Sequence, residues 1–223
     1  MTETELYREL SALTRNRNEW KAKIPTVSSL LASDSVKIRA KALWLLGEMG
    51  LQYPESIAEH VPAVAAFLDS AEPLLRERAL NALGRIGRSS WRAVEPYWER
   101  MFAFAADEAA SVRLSFIWAS ENIAANTPEP YGEHMAAFAD LLRDPDSRVR
   151  MEAPEIFRVL GKRRPAFVLP YIGLLHTVAK PTRIVSCGST VPARSGRRED
   201  TVSRIFEEIS KSPLTNSRKG DII

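Results

Sequence analysis

The sequence predicts an all-α chain, a stacked array of two-helix repeats with a period of 37 residues, about four full repeats plus capping helices. Three observations carry this. Arg39, Arg76, Arg113 and Arg150 each stand 37 residues after the one before. The position preceding each is apolar: Ile38, Leu75, Val112 and Val149. Ten positions later come Met49, Ile86, Ile123 and Leu160, followed at once by Gly50, Gly87, Ala124 and Gly161. Matched slots at a fixed interval mark repeated units that bury their apolar faces against neighbours.

The second helix of each unit is the clearest. Ile38, Ala42, Leu43, Leu46 and Met49 follow steps of four, one, three and three, one face of a 3.6-residue helix. Leu75, Ala79, Leu80, Leu83 and Ile86 repeat it, as do Val149, Ala153, Phe157 and Leu160. Alanine in the second slot allows close helix approach; the third copy departs, with Phe116. The first helices share a register of their own. Ile24, Val61, Trp98, Met135 and Ile172 form one slot, and Val27, Val64, Met101, Phe138 and Leu175 the next. An opening helix near Thr4 to Leu13, apolar at Leu6, Leu10 and Leu13, is expected to cover the N-terminal end.

The joints recur too. Ser33, Ser70, Asp107 and Asp144 share the slot before the second helix, where a short side-chain oxygen can accept from orphan N–H groups. Gly50, Gly87 and Gly161 are expected to end helices in the left-handed conformation. Pro54, Pro128 and Pro165 start the helices that follow. Pro154 falls inside the fourth second helix and should bend it.

A two-helix unit of this length, with a polar joint, Val/Ile-Arg opening the second helix and a glycine near its end, resembles the HEAT repeat. Ser35 to Gly50 and Asp146 to Gly161 carry the likeness best, within roughly residues 20 to 180. The resemblance implies a right-handed curved α-solenoid, with the second helices lining its concave side.

The array is expected over 1–180. The arginine slot after Arg150 holds Cys187, and 181–199 is rich in Ser, Thr, Gly, Pro and Arg, so it reads as irregular. A capping helix is expected over 200–211, bearing Val202, Ile205, Phe206 and Ile209, and a mobile tail over 212–223. Lys and Arg number 31 against 28 acids, a net charge of +3, too mild to indicate nucleic acid by itself. One cysteine excludes an intramolecular disulfide framework and suits a reducing compartment. With no long apolar run and no leader signal, the expectation is a soluble cytoplasmic protein without membrane contact.

No phosphate loop, zinc-protease motif or nucleophile elbow is present, so no catalytic residue, metal or cofactor is expected. His60 and His134 share a slot with Tyr97 and Tyr171, a packing position of the repeat, and His176 is isolated. Arg39, Arg76, Arg113 and Arg150 read as a structural ladder, each tying a neighbouring joint by charge-assisted hydrogen bonds.

The positions that the repeat leaves free carry the functional expectation. On the second helices they are Lys37, Lys41, Trp44 and Glu48; Leu74, Arg78, Asn81 and Arg85; Ser111, Ser115, Trp118 and Asn122; Arg148, Glu152, Glu155 and Val159. Five basic and three acidic side chains with two tryptophans are the usual makings of a binding hot spot. A non-catalytic module holding a protein or peptide in the groove follows. The alternative is a nucleic-acid binder, since some HEAT-like solenoids are DNA alkylation repair glycosylases. Trp44 with Glu48 and Trp118 with Asn122 have the spacing such a pocket would use. Glu152 and Glu155 would repel phosphate.

Overall fold

The computed structural model describes residues 2–179, 200–205 and 207. The segment expected to be irregular, Cys187 within it, and the expected tail lie outside the described residues. The chain divides into two compact units, Met1–Thr127 and Pro128–Ile223. Every described element is helical.

The first unit opens with α1, Glu3–Leu13, started by a capping box: Thr2 Oγ1 accepts from the Glu5 N–H at 3.3 Å, and the Glu5 carboxylate accepts from the Thr2 N–H at 2.8 Å. Trp20 begins α2, Trp20–Ser29. Its ring is 1% exposed and its Nε1–H donates to the Leu13 carbonyl at 2.8 Å, fastening the end of α1. Then come α3, Val36–Gln52, and two short helices, α4, Pro54–Ile57, and α5, Val61–Ala65, joined by 3-10 turns. Next are α6, Pro73–Ser89, α7, Trp91–Met101, and α8, Ala110–Ala124.

The expected apolar stripes are the core. Ile38, Ala42, Leu43, Leu46 and Met49 of α3 are at most 1% exposed, and Leu75, Ala79, Leu80, Leu83 and Ile86 of α6 are fully buried. Helix α3 lies against α6, and α6 against α8. Phe116, which replaces alanine in α8, is also fully buried. Phe102 meets it edge-on at 5.3 Å, and Trp98 meets Phe102 at 4.9 Å. The larger side chain is thus absorbed by an aromatic run specific to this repeat.

The glycines differ from expectation. Gly50 and Gly87 do not end their helices but lie inside α3 and α6, buried. A Cβ on Gly50 would sit 2.5 Å from Ile86 Cγ1, and one on Gly87 2.7 Å from both Ile123 Cγ1 and Val94 Cγ2. The need is for space, not for a left-handed backbone. The helices end instead at Tyr53 and Ser90, whose backbones leave the helical region at φ −130°, ψ 65° and φ −144°, ψ 94°. Their N–H groups still reach the Met49 and Ile86 carbonyls at 2.7 and 2.8 Å. Pro54 follows Tyr53 and disfavours the helical conformation there.

A second glycine pair sets the distance between second helices. A Cβ on Gly47 would lie 2.7 Å from Ala82 Cα, and one on Gly84 2.5 Å from Ala119 Cα. Ser89 Oγ also donates to the Gly50 carbonyl at 2.9 Å, tying α6 back to α3.

The joints are built on one plan. Ser33, Ser70 and Asp107 each accept from the N–H two residues on, at 3.3, 3.2 and 2.9 Å, which shapes the loop just ahead of the helix. Arg76 Nη1 donates to the carbonyls of Ser70 and Ala71, and Arg113 Nη1 to those of Asp107 and Glu108. Arg76 also grips Asp107, the joint residue of the next repeat. Arg39 has Ser70 in that place, and its Nε is buried without a hydrogen-bond partner.

The second unit contains α9, Met135–Leu141, α10, Ser147–Glu152, α11, Pro154–Arg163, α12, Pro165–Val168, and α13, Ile172–Ala179. Asp144 accepts from the Asp146 N–H at 2.8 Å, and Arg150 Nη1 donates to the Asp144 and Pro145 carbonyls at 2.6 and 2.8 Å. Asp146 caps α10, and its hydrogen bond from Arg148 is the main cause of a carboxyl pKa lowered to about 2. The helix breaks at Ala153, with Pro154 opening α11, as a proline without an N–H requires. Residues 200–205 are helical, with Thr201, Val202 and Ile205 buried.

Candidate functional site

Four side-chain rows run across the second helices of the first unit, each row made of residues 37 apart. Lys37, Leu74 and Ser111 form the first; Lys41, Arg78 and Ser115 the second; Trp44, Asn81 and Trp118 the third; Glu48, Arg85 and Asn122 the fourth. Trp118 and Leu74 are 38% and 39% exposed, high for large apolar side chains, while Trp44 is half-buried. Ser115 departs from expectation. It is fully buried at the α6–α8 seam, where Asn81 Nδ2 donates to its Oγ at 3.2 Å.

Most polar groups of the fourth row are already engaged. Glu48 pairs with Arg85 Nε at 2.9 Å, its side chain only 13% exposed. Asn122 donates to the Trp118 carbonyl at 2.8 Å and accepts from Arg88 at 3.4 Å. Neither is a free acid or amide beside its tryptophan.

The opposite end of this face is open. Lys37, Lys41 and Trp44 from α3, Leu74 and Arg78 from α6, and Tyr7 from α1 surround a cavity of about 520 Å³, floored by Val36 and Ala40. Lys37 Nζ lies 4.3 Å from the Tyr7 ring centroid and Lys41 Nζ 4.4 Å from that of Trp44. Such contacts are worth about 0.5–1 kcal/mol each at exposed sites and hold the ammonium groups in place. No acid lines the cavity. The nearest pairing is Arg78 Nη2 with Glu77 at 3.6 Å, and both side chains keep some exposure. Burial, and secondarily the Arg78 charge, push the Lys41 ammonium below the ordinary lysine range. Tyr7 is a cavity-lining aromatic that the sequence did not single out. Its slot in α1 belongs to a capping helix outside the 37-residue register, so no repeat pattern pointed to it.

In the second unit, Arg148 is exposed, while Glu152 and Val159 are partly buried. Glu155 is partly covered: Thr201 Oγ1 donates to its Oε1 at 2.6 Å, and Arg158 Nε to its Oε2 at 2.6 Å. Burial pushes the Glu155 carboxyl up, but Thr201, Arg158 and Arg204 together hold it below its usual range. Among the described residues no group of three or more His, Cys, Asp and Glu could hold a metal ion, and no helix is long and apolar enough to cross a membrane.

Successive helical pairs in register, with the second helices side by side, define an α-solenoid repeat protein of the HEAT and armadillo type. Residues 21–183 match the family described as Sister chromatid cohesion protein PDS5 protein, and the chain belongs to that family. No curated protein matches it in sequence. Among solved structures it is similar to a designed armadillo repeat protein in complex with the peptide (KR)4, at 16% identity and TM-score 0.65, over 91% of this chain and 90% of that one. A set of computationally designed armadillo repeat proteins for modular peptide recognition aligns at 15% identity and TM-score 0.58, over 93% and 94%. A structure described by Kap95p binding to RanGDP aligns at 14% identity and TM-score 0.66, over 87% of this chain and 26% of the other. At these identities the likeness concerns the fold.

Proposed function

We propose that the protein is a non-catalytic interaction module that holds a peptide or protein segment on the second-helix face of its first unit. One observation carries the reading: the Tyr7–Trp44–Leu74 cavity, where apolar walls and cations stand ready on packed helices. A pre-formed site loses little conformational entropy on binding, and a partly exposed tryptophan beside arginine is the composition of binding hot spots. The designed armadillo neighbours, built for peptide recognition, support the same use of this fold. The engaged state of Glu48 and Asn122 argues against a lesion-reading pocket of the DNA glycosylase kind.

The test is a random peptide library displayed on phage and selected on immobilised protein. Wild type should enrich peptides that the Trp44→Ala, Trp118→Ala double variant does not retain, with little change in the variant's melting temperature. Equal retention by both proteins rejects the reading.

A further inference from the structure

Taking that peptide-binding reading as its base, we infer that the cavity beside Trp44 takes an acidic peptide segment, its carboxylates against Lys37, Lys41 and Arg78 and a large apolar side chain against Trp44 and Leu74. The charge is one-sided. Three cations converge on a space that no carboxylate lines, and Lys41 and Arg78 occupy the same slot of successive repeats, so their like charges face each other. Like charges held together destabilise one another, and an entering anion relieves that repulsion. The rings fix where the ammonium groups stand, which favours a shaped ligand over a diffuse counter-ion cloud.

The extent of the positive charge discriminates between anions. A nucleic-acid backbone needs cations repeated along its length. Toward α8, however, Ser115 is buried, Arg85 is neutralised by Glu48, and the remaining row members are Asn81, Ser111, Trp118 and Asn122. Of the row cations in the first unit, all but the Glu48-paired Arg85 line this one cavity of about 520 Å³, which suits a few side chains rather than a long polyanion. A basic peptide such as (KR)4, bound by the designed neighbour, has the wrong sign for this cavity.

The experiment sequences the peptides enriched by wild type and measures their binding by fluorescence anisotropy at several salt concentrations. Enriched sequences should be acidic with an aromatic or aliphatic residue. A Lys37→Gln, Lys41→Gln, Arg78→Gln variant should bind them at least tenfold more weakly, whereas Lys37→Arg, Lys41→Arg should stay within about threefold. Circular dichroism and thermal melts establish that each variant is folded. Enrichment of neutral or basic peptides that still need Trp44 overturns this inference and leaves the interaction reading standing. Failure to enrich any Trp44-dependent peptide removes both. A 20-base-pair DNA duplex that competes as tightly as the best peptide overturns it in favour of nucleic acid.

Discussion

Arg76 holds Asp107 through two parallel hydrogen bonds, Nε to Oδ2 at 2.8 Å and Nη2 to Oδ1 at 2.9 Å, linking one repeat's second helix to the next repeat's joint. The pair is largely shielded, with side-chain exposures of 16% and 9%. Burial pushes the Asp107 carboxyl up, but the Arg76 hydrogen bonds, the Ala109 N–H and the charge of Arg113 outweigh it, and the net direction is down. Asp107→Ala should therefore cost roughly 3 kcal/mol, as removing one partner of a buried pair does. The folded carboxyl titrates below the unfolded one, so the contribution is complete above the ordinary aspartate range and disappears as pH falls through the lower, folded value. The gap between urea melts of wild type and variant should narrow in acid, as the ionised carboxyl's share is lost. A gap that stays constant with pH would contradict the assignment.

The equivalent link is missing one repeat earlier. Arg39 occupies the slot of Arg76, but Ser70 stands where Asp107 would be, and Arg39 Nε is buried without a partner. Ser70→Asp should raise stability by about 1 kcal/mol by supplying a charged acceptor. Its carboxylate can still accept from the Glu72 N–H, as the Ser70 hydroxyl does at 3.2 Å. Adding Arg39→Gln should cancel the gain, and chemical denaturation of the double-mutant cycle measures it.

Helix packing offers a contrast between two glycines. A Cβ at Gly84 would stand 2.5 Å from Ala119 Cα, a backbone atom that cannot swing away, whereas one at Gly173 meets nothing within 4 Å. Gly84→Ala should destabilise by about 2 kcal/mol despite alanine's better helix propensity. Gly173→Ala should be neutral or slightly stabilising. Calorimetric melts of both variants decide it.

In the second unit, Thr201 anchors residues 200–205 to Glu155. Thr201→Val should cost that segment about 1.5 kcal/mol, near the low end for a hydrogen bond to a charged group, and speed amide exchange at Val202 and Ile205 about tenfold. Because the Glu155 carboxyl is held below its usual range, the protection exists above the ordinary glutamate range and fades as pH drops through the folded value. Exchange rates corrected for intrinsic pH dependence, compared with those of Glu155→Gln, test the sign.

The fold was readable because the period carries the core. A slot such as Leu43, Leu80 and Ile117 is apolar in successive copies only if the same face is buried each time, and all three are fully buried. What the sequence hid was three-dimensional distance. Gly50 has the same letter whether it supplies a left-handed turn or clears room for Ile86, and only packing distinguishes the two. Ser115 shared its slot with two cations, but its small hydroxyl let α6 close over it, which no pattern of polarity conveys. The cavity combines residues visible as free slots, Lys37, Lys41, Trp44, Leu74 and Arg78, with Tyr7, whose approach depends on how α1 docks.

The contacts of Gly47 with Ala82 and of Gly84 with Ala119 leave almost no side chain between neighbouring second helices. Main chain rests on main chain there, so the gauge between α3 and α6 is set by atoms that have no rotamers to change. Trp44 and Arg78, mounted on those two helices, are therefore like marks on a rigid ruler. A partner must match their separation as it stands, and selectivity for spacing comes with the scaffold itself.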